Sequence, residues 1–186
     1  GYGTLVDDFD RQAIEIVRWP AAGWRPSAAA TCDEGGPPEG VFEFGWRGEY
    51  LYGSHHAVND SYLFGWSRKP SQASETAAAP ERSQVLIWHA NYHPDGGQCF
   101  HPRARVPLAV PPALPGDDVT PEQFVAFWFD GSQGLYIHPN VWHEAVFPLA
   151  ERASFDDRQG AVHARVSVNF VEEFDCYLAV PLRKPD

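Results

Sequence analysis

The chain has 186 residues, about one domain's worth, and 44% of them are apolar and 14% aromatic, enough to fill one sizeable core and to argue against disorder. A net charge of −11 with no basic run argues against nucleic acid and anionic membrane as partners. The longest apolar run, 124–129, falls far short of the roughly 20 residues of a membrane helix, and the first residues lack a secretory pattern.

The 16 Gly and 17 Pro are spread as punctuation between short apolar segments, the pattern of an all-β domain with many strands and turns. The chain contains no Met, so Gly1 reads as a trimmed start. The best helix candidate is 7–18, although Phe9, Ile14, Ile16 and Val17 match neither helical nor strand spacing well. Residues 21–40 read as a loop of small residues, Gly and Pro. Strands are expected at 40–52, which is aromatic-rich and reads as core or as a dimer face, and at 61–66. His55 and His56, near Asn59 and Asp60, read as an exposed turn between them. Residues 69–80 form a surface connection, followed by an alternating strand over 83–93 and another starting at Gln98. A short turn is expected at Thr120-Pro121, with Thr as cap and Pro in the first helical position. Further strands are expected at 124–129, ending on the turn signal Asp130-Gly131, at 135–138, at 161–171 and at 176–180. The whole chain reads as a single domain, with a barrel core over about 40–182 and residues 1–40 packing on it. Cys32, Cys99 and Cys176 are odd in number and widely spaced, which suits free thiols in a reducing, cytoplasmic setting.

Period-two geometry puts His89, Asn91 and His93 on one strand face that continues from Val85 and Ile87. A buried face that turns polar at one end suggests a site in a barrel mouth. A second cluster runs from Tyr136 through His138, Asn140 and Trp142 to His143. A third row, His163, Arg165, Ser167 and Asn169, shares one face of the 161–171 strand. Imidazoles suit Zn, Ni, Fe or Mn, and the amide oxygens of Gln98 and Asn91 are weaker ligands. No Asp or Glu is expected on the polar face ending at His93, and Glu144 should point away from His143. No G-x-S-x-G elbow, Gly-rich phosphate loop, H-E-x-x-H or Cys pair is present.

Two segments resemble a known family. Residues 123–143 (QFVAFWFDGSQGLYIHPNVWH), continuing to Phe147-Pro148, and residues 93–102 (HPDGGQCFHP) are similar to the second and first motifs of the ureidoglycolate lyase family. The resemblance covers about 83–171 and reaches loosely to Trp66-Ser-Arg-Lys-Pro70. It implies a cupin-like double-stranded β-helix, a jelly-roll barrel with few short helices, forming a homodimer. It also implies cleavage of ureidoglycolate to glyoxylate and urea in allantoin breakdown. His93, Gln98 and His143 fall where cupins place metal or substrate ligands, and His138, Asn140 and Trp142 match the family pattern. Where the family has Glu, this chain has Asn91. Where it has an Asp-Arg pair, this chain has Asn169-Phe170.

The resulting expectation is a lyase on a small polar metabolite. A divalent metal (Ni, Mn, Zn or Fe) would sit on His93, His143, Gln98 and Asn91. His138, His93 and His89 would serve as catalytic groups, with His138 or His89 as the base. Trp142, Arg165, Asn169, Tyr136 and Asn140 would contact substrate, and Arg165 would anchor its anion. The alternatives are another metal-dependent cupin enzyme (oxygenase, isomerase or dehydratase) and a non-catalytic small-molecule binder.

Overall fold

Residues 1–16, 25–27, 39–57, 60–160 and 164–184 are described by a computed structural model of the chain. Strand β1 (Gly3–Val6) comes first. β2 (Glu39–Arg47) and β3 (Tyr50–His55) form a hairpin closed by Gly48-Glu49, where Gly48 takes φ +53°, a conformation glycine adopts without steric cost. β4 (Asp60–Trp66), β5 (Gln84–Ile87), β6 (His89–Tyr92), β7 (Gln98–Pro102) and β8 (Leu108–Val110) follow. The chain continues through β9 (Phe127–Phe129), β10 (Gly134–Ile137), β11 (Phe147–Pro148), β12 (Arg152–Arg158) and β13 (Val166–Asn169). It ends with the short helix α1 (Phe170–Phe174) and β14 (Leu178–Pro181).

The protein is all-β and cupin-like. A nine-stranded sheet runs in the order β1-β10-β7-β12-β2-β3-β4-β5-β14, beside a three-stranded sheet β11-β8-β9 and the pair β13-β6. Every strand pairing among the described residues is antiparallel. Alternation decides what faces inward. In β2, Phe42, Phe44 and Trp46 are buried while Glu43 is exposed. The Phe42 and Phe44 rings stack with centroids 4.8 Å apart, and Phe155 of β12 meets Phe44 edge-on at 5.6 Å. The inward aromatic row Phe42, Phe44 and Trp46 is therefore core.

Five expectations about local structure change. The strand expected over 40–52 turns back at Gly48-Glu49 and becomes the β2–β3 hairpin. Residues 7–16 form no helix. Gln12 N–H closes a turn on Phe9 O, because the apolar residues there do not recur on one helical stripe. The strand expected over 83–93 breaks at Trp88, so β5 joins the large sheet and β6 the small one. Only Phe127–Phe129 of 124–129 is strand. The strand expected over 161–171 is β13 followed by α1, because Asn169 accepts from the backbone N–H of Val171 and Glu172 and starts a helix; residues 161–163 lie outside the described residues. The 3-10 turn Pro121–Gln123 forms as expected, with Thr120 N–H donating to Gln123 Oε1 at 2.8 Å. Cys99 and Cys176 are free thiols, and Cys32 lies outside the described residues. No helix among the described residues is long and apolar enough to cross a membrane.

Candidate active site

β6 is the backbone of the site. It pairs with β13 on one side. On the other, Asn91 and His143 exchange two backbone hydrogen bonds of 2.7 Å. The segment through Trp142 and His143 thus crosses beside β6 on single bridges and then leaves the pleated conformation. The sidedness rule for strand neighbours stops applying there, and both His143 and Glu144 are buried. Glu144, expected to point away from His143, does turn to different partners but still enters the site. Its carboxyl lies 3.3 Å from His89 Nε2 and accepts from Asn91 Nδ2 at 3.2 Å.

A cavity of about 50 Å3 opens at this point. Its polar lining is His55, His89, Asn91, His93, Gln98, Glu144, Gln159 and Arg165, and Phe42, Phe64 and Phe100 close its apolar side. His89, Asn91 and His93 line it together, as their spacing on one strand face predicts. The His93 and His143 rings meet with centroids 5.2 Å apart. Gln98 Oε1 lies 3.0 Å from His93 Nε2 and 2.9 Å from His143 Nε2. His93 Nδ1–H donates to Ala164 O and His143 Nδ1–H to Val141 O, at 2.7 and 2.8 Å. In the neutral rings, both Nε2 lone pairs therefore point at the same place as the Gln98 oxygen.

Burial sets the charge states. It lowers His143 to about 3, with His93 adding to the effect, and lowers His89 to about 3, with Arg165 adding. The same burial raises Glu144 to about 8, against the opposing pull of Arg165 and Asn91. The site near neutral pH thus presents two uncharged imidazoles and an uncharged carboxyl. Two buried polar atoms, His89 Nδ1 and Gln159 Oε1, have no hydrogen-bond partner among the described residues. Buried polar groups usually are paired, so such atoms mark where a polar ligand would bond.

Several residues expected here lie elsewhere. His138 is half-buried, with Nδ1 3.3 Å from Gly1 O, and does not line the cavity. Tyr136 packs with Val6 and Cys99 in a separate small cluster, and its hydroxyl accepts from Glu15 N–H at 2.8 Å. Asn140 adopts φ +61° in a turn and donates its backbone N–H to His93 O at 3.4 Å. Trp142 is fully buried beside Tyr92, donates Nε1–H to Gly116 O and carries the Arg25 guanidinium 5.6 Å from its ring centroid. Asn169 caps α1. In each case the strand or turn is near the expected place, but the side chains of His138, Tyr136, Trp142 and Asn169 are committed to other partners and Asn140 is held in its turn by its backbone. Asn91 faces Glu144, so the converging acceptors are His93, His143 and Gln98.

Two buried groups were missed. Asp157 is fully buried; its Oδ1 accepts from Gln98 Nε2 at 2.7 Å and its Oδ2 from His55 Nε2 at 2.8 Å. His55, expected in an exposed turn, is 2% exposed and ends β3 inside the core. The pattern of 152–158 could have revealed Asp157, since it shares a face with the core residue Phe155 two positions earlier. Among the described residues, no group of three His, Cys, Asp or Glu side chains is placed to hold a metal; the two imidazoles His93 and His143 converge instead on the Gln98 oxygen.

The sequence profile described as ureidoglycolate lyase matches residues 55–173, well over half of the chain and every cavity-lining residue except Phe42. The chain is 39% identical over 101 residues to the ureidoglycolate lyase of Azotobacter vinelandii, covering 47% of this chain and 61% of that protein. It is 38% identical over 101 residues to that of Stutzerimonas stutzeri, covering 47% and 59%. It is also 38% identical over 91 residues to that of Pseudomonas aeruginosa strain LESB58, covering 48% and 52%. The match thus spans about half to three-fifths of the length of these curated relatives. On the extent of the profile match, this chain belongs to the ureidoglycolate lyase family.

Proposed function

We propose that the protein is a carbon–nitrogen lyase that cleaves ureidoglycolate to glyoxylate and urea. One observation carries the reading. His89 and Glu144, an uncharged base and an uncharged acid 3.3 Å apart, face a small buried cavity beside Arg165 within the family-matched region.

The elimination needs a proton removed from the hydroxyl and one supplied to the leaving nitrogen. His89 Nδ1, buried and without a partner among the described residues, accepts the hydroxyl proton. The oxygen's electrons form the carbonyl of glyoxylate as the carbon–nitrogen bond breaks. The departing nitrogen takes the bond's electron pair and a proton from the Glu144 carboxyl, giving urea. His89 is then cationic and Glu144 anionic. Each stabilises the other across the 3.3 Å gap, which offsets the low basicity of the buried ring. Proton return from His89 Nε2 to Glu144 leaves the ring protonated on Nδ1, and exchange of that proton with solvent after product release restores the starting tautomer. Arg165 supplies the positive charge for the substrate carboxylate.

The residues present also fit a divalent cation. The Gln98 oxygen lies 3.0 and 2.9 Å from two ring nitrogens that face it as acceptors, contacts that repel unless a positive centre lies among them. His93 Nε2, His143 Nε2 and Gln98 Oε1 would hold it, and a borderline metal such as Ni, Mn, Zn or Fe suits that mixed set. When bound, it would polarise a substrate oxygen. The free thiols Cys99 and Cys176 support a cytoplasmic setting, and the family reading carries an allantoin-breakdown role and a homodimer with it. The test is release of glyoxylate and urea from ureidoglycolate, with and without added Mn2+ or Ni2+. Turnover is expected, and absence of turnover under every metal condition would overturn the assignment.

A further inference from the structure

We infer that His55 and Asp157 act as a positioning dyad that fixes which end of the Gln98 amide faces His93 and His143. The argument begins on the backbone. Ala57 N–H donates to His55 Nδ1 at 3.1 Å, so that nitrogen carries a lone pair and the ring proton sits on Nε2. Gly40, on the neighbouring strand, leaves room for this contact, since a Cβ there would stand 3.0 Å from the Ala57 nitrogen. His55 Nε2–H then donates to Asp157 Oδ2 at 2.8 Å. Asp157 Oδ1 takes the Gln98 NH2 group at 2.7 Å. An amide has donors at one end and an acceptor at the other, so the Gln98 oxygen must face the two imidazoles.

Two effects compete for this amide. The Nε2 lone pairs of His93 and His143 would attract the NH2 end. A carboxylate attracts it more strongly, because hydrogen bonds to an ionised acceptor are about twice as strong as neutral ones. Asp157, with a donor at each oxygen and no exposure, wins. The result is an acceptor-only pocket that is unfavourable when empty and suited to a cation. The dyad reaches the imidazoles only through Gln98. It therefore positions, and it touches neither substrate nor metal.

Exchanging the acid and the amide tests this. In Asp157→Asn, the new oxygen keeps His55 and the new NH2 confronts the Gln98 NH2, which forces Gln98 to turn its donors toward the imidazoles. In Gln98→Glu, two carboxylates face each other. The double variant D157N/Q98E repairs both mismatches at unchanged net charge. Its carboxylate, now at position 98, accepts from the amide now at position 157 and presents its other oxygen to the ring pair. Co2+ binding followed by calorimetry should weaken about tenfold or more in D157N and recover in the double variant, in line with the usual effect of groups that orient ligands. The melting temperature of the metal-free protein should fall in Q98E, where two carboxylates meet, and recover when D157N is added, whereas D157N alone, whose turned amide satisfies both ring nitrogens, should lose Co2+ affinity without a matching fall in melting temperature, a coupling that independent structural roles would not produce.

Unchanged Co2+ affinity in D157N, or a double variant whose melting temperature is no better than the additive loss, would overturn the dyad. This inference rests on the proposed cation-binding role only for its Co2+ arm. Wild-type protein that binds no Co2+ refutes that role, while the stability cycle still decides the dyad.

Discussion

Replacing Asn169 with Ala separates a structural role from a substrate-binding one. The Asn169 side chain accepts from Val171 N–H at 3.1 Å and Glu172 N–H at 3.2 Å, two donors at the start of α1 that otherwise lack partners within the helix. A helix of five residues has no stability of its own. It is tied to the core, however, because Phe170 is fully buried and Glu173 forms two hydrogen bonds to Arg25 at 2.8 and 2.7 Å. Loss of the cap is therefore felt in global unfolding rather than in local fraying. Cap removal typically costs about 1 kcal/mol, and water can reach these partly exposed amides, so a central value applies. For a chain of this size, that corresponds to a melting temperature lower by about 2–4 °C. Asn169→Asp retains the acceptor and should keep the wild-type melting temperature. Both variants should keep wild-type kcat/KM, measured as glyoxylate release, because the side chain is taken up by the start of α1 and does not line the cavity. A fall in kcat/KM without loss of stability in N169A would refute the reasoning and return Asn169 to substrate binding.

Three further outcomes follow from the geometry. His89→Ala should lower kcat by about 10²- to 10⁴-fold, the usual worth of a positioned proton acceptor, whereas His138→Ala should leave it unchanged; steady-state kinetics on the two variants decides between them. Arg25 holds the Glu173 carboxyl below its ordinary value of 4.5, chiefly through its hydrogen bonds. A carboxyl depressed on folding contributes stability above its unfolded pKa, and that contribution is lost as the pH falls through the folded one. Denaturant midpoints of wild type and Glu173→Gln should thus differ at neutral pH and converge in acid. Phe155→Ala, at a fully buried ring between Phe44 and Phe100, should cost about 3–5 kcal/mol in chemical denaturation, and a loss below about 1 kcal/mol would refute the core assignment.

Strand alternation carries information along one strand, and there it served well. His89, Asn91 and His93 share a face because side chains repeat every two residues, and that face is the cavity wall. It served badly where extended structure stops. Glu144 follows an isolated bridge, and its inward direction comes from a change of chain path that no periodicity announces. Asn169 looked like the last residue of a polar strand row, but its neighbours' free N–H groups recruit it as a cap. His138, Tyr136 and Asn140 lie on or next to a strand that joins the large sheet near its edge, with Tyr136 in a cluster separate from the main core.

The amino-acid order alone determined the all-β class, the turn at Thr120 and Pro121, the polar end of the strand carrying His93, and the two motifs that mark the family. Tertiary structure alone decided which carboxyls enter the site. Asp157 and Gln98 are 59 positions apart in the chain and meet because β12 pairs with β7, while His55 reaches Asp157 across β2. A residue's side of its own strand is a local property of backbone geometry, but its neighbour on the next strand depends on register between distant segments, which is settled only when the whole core packs.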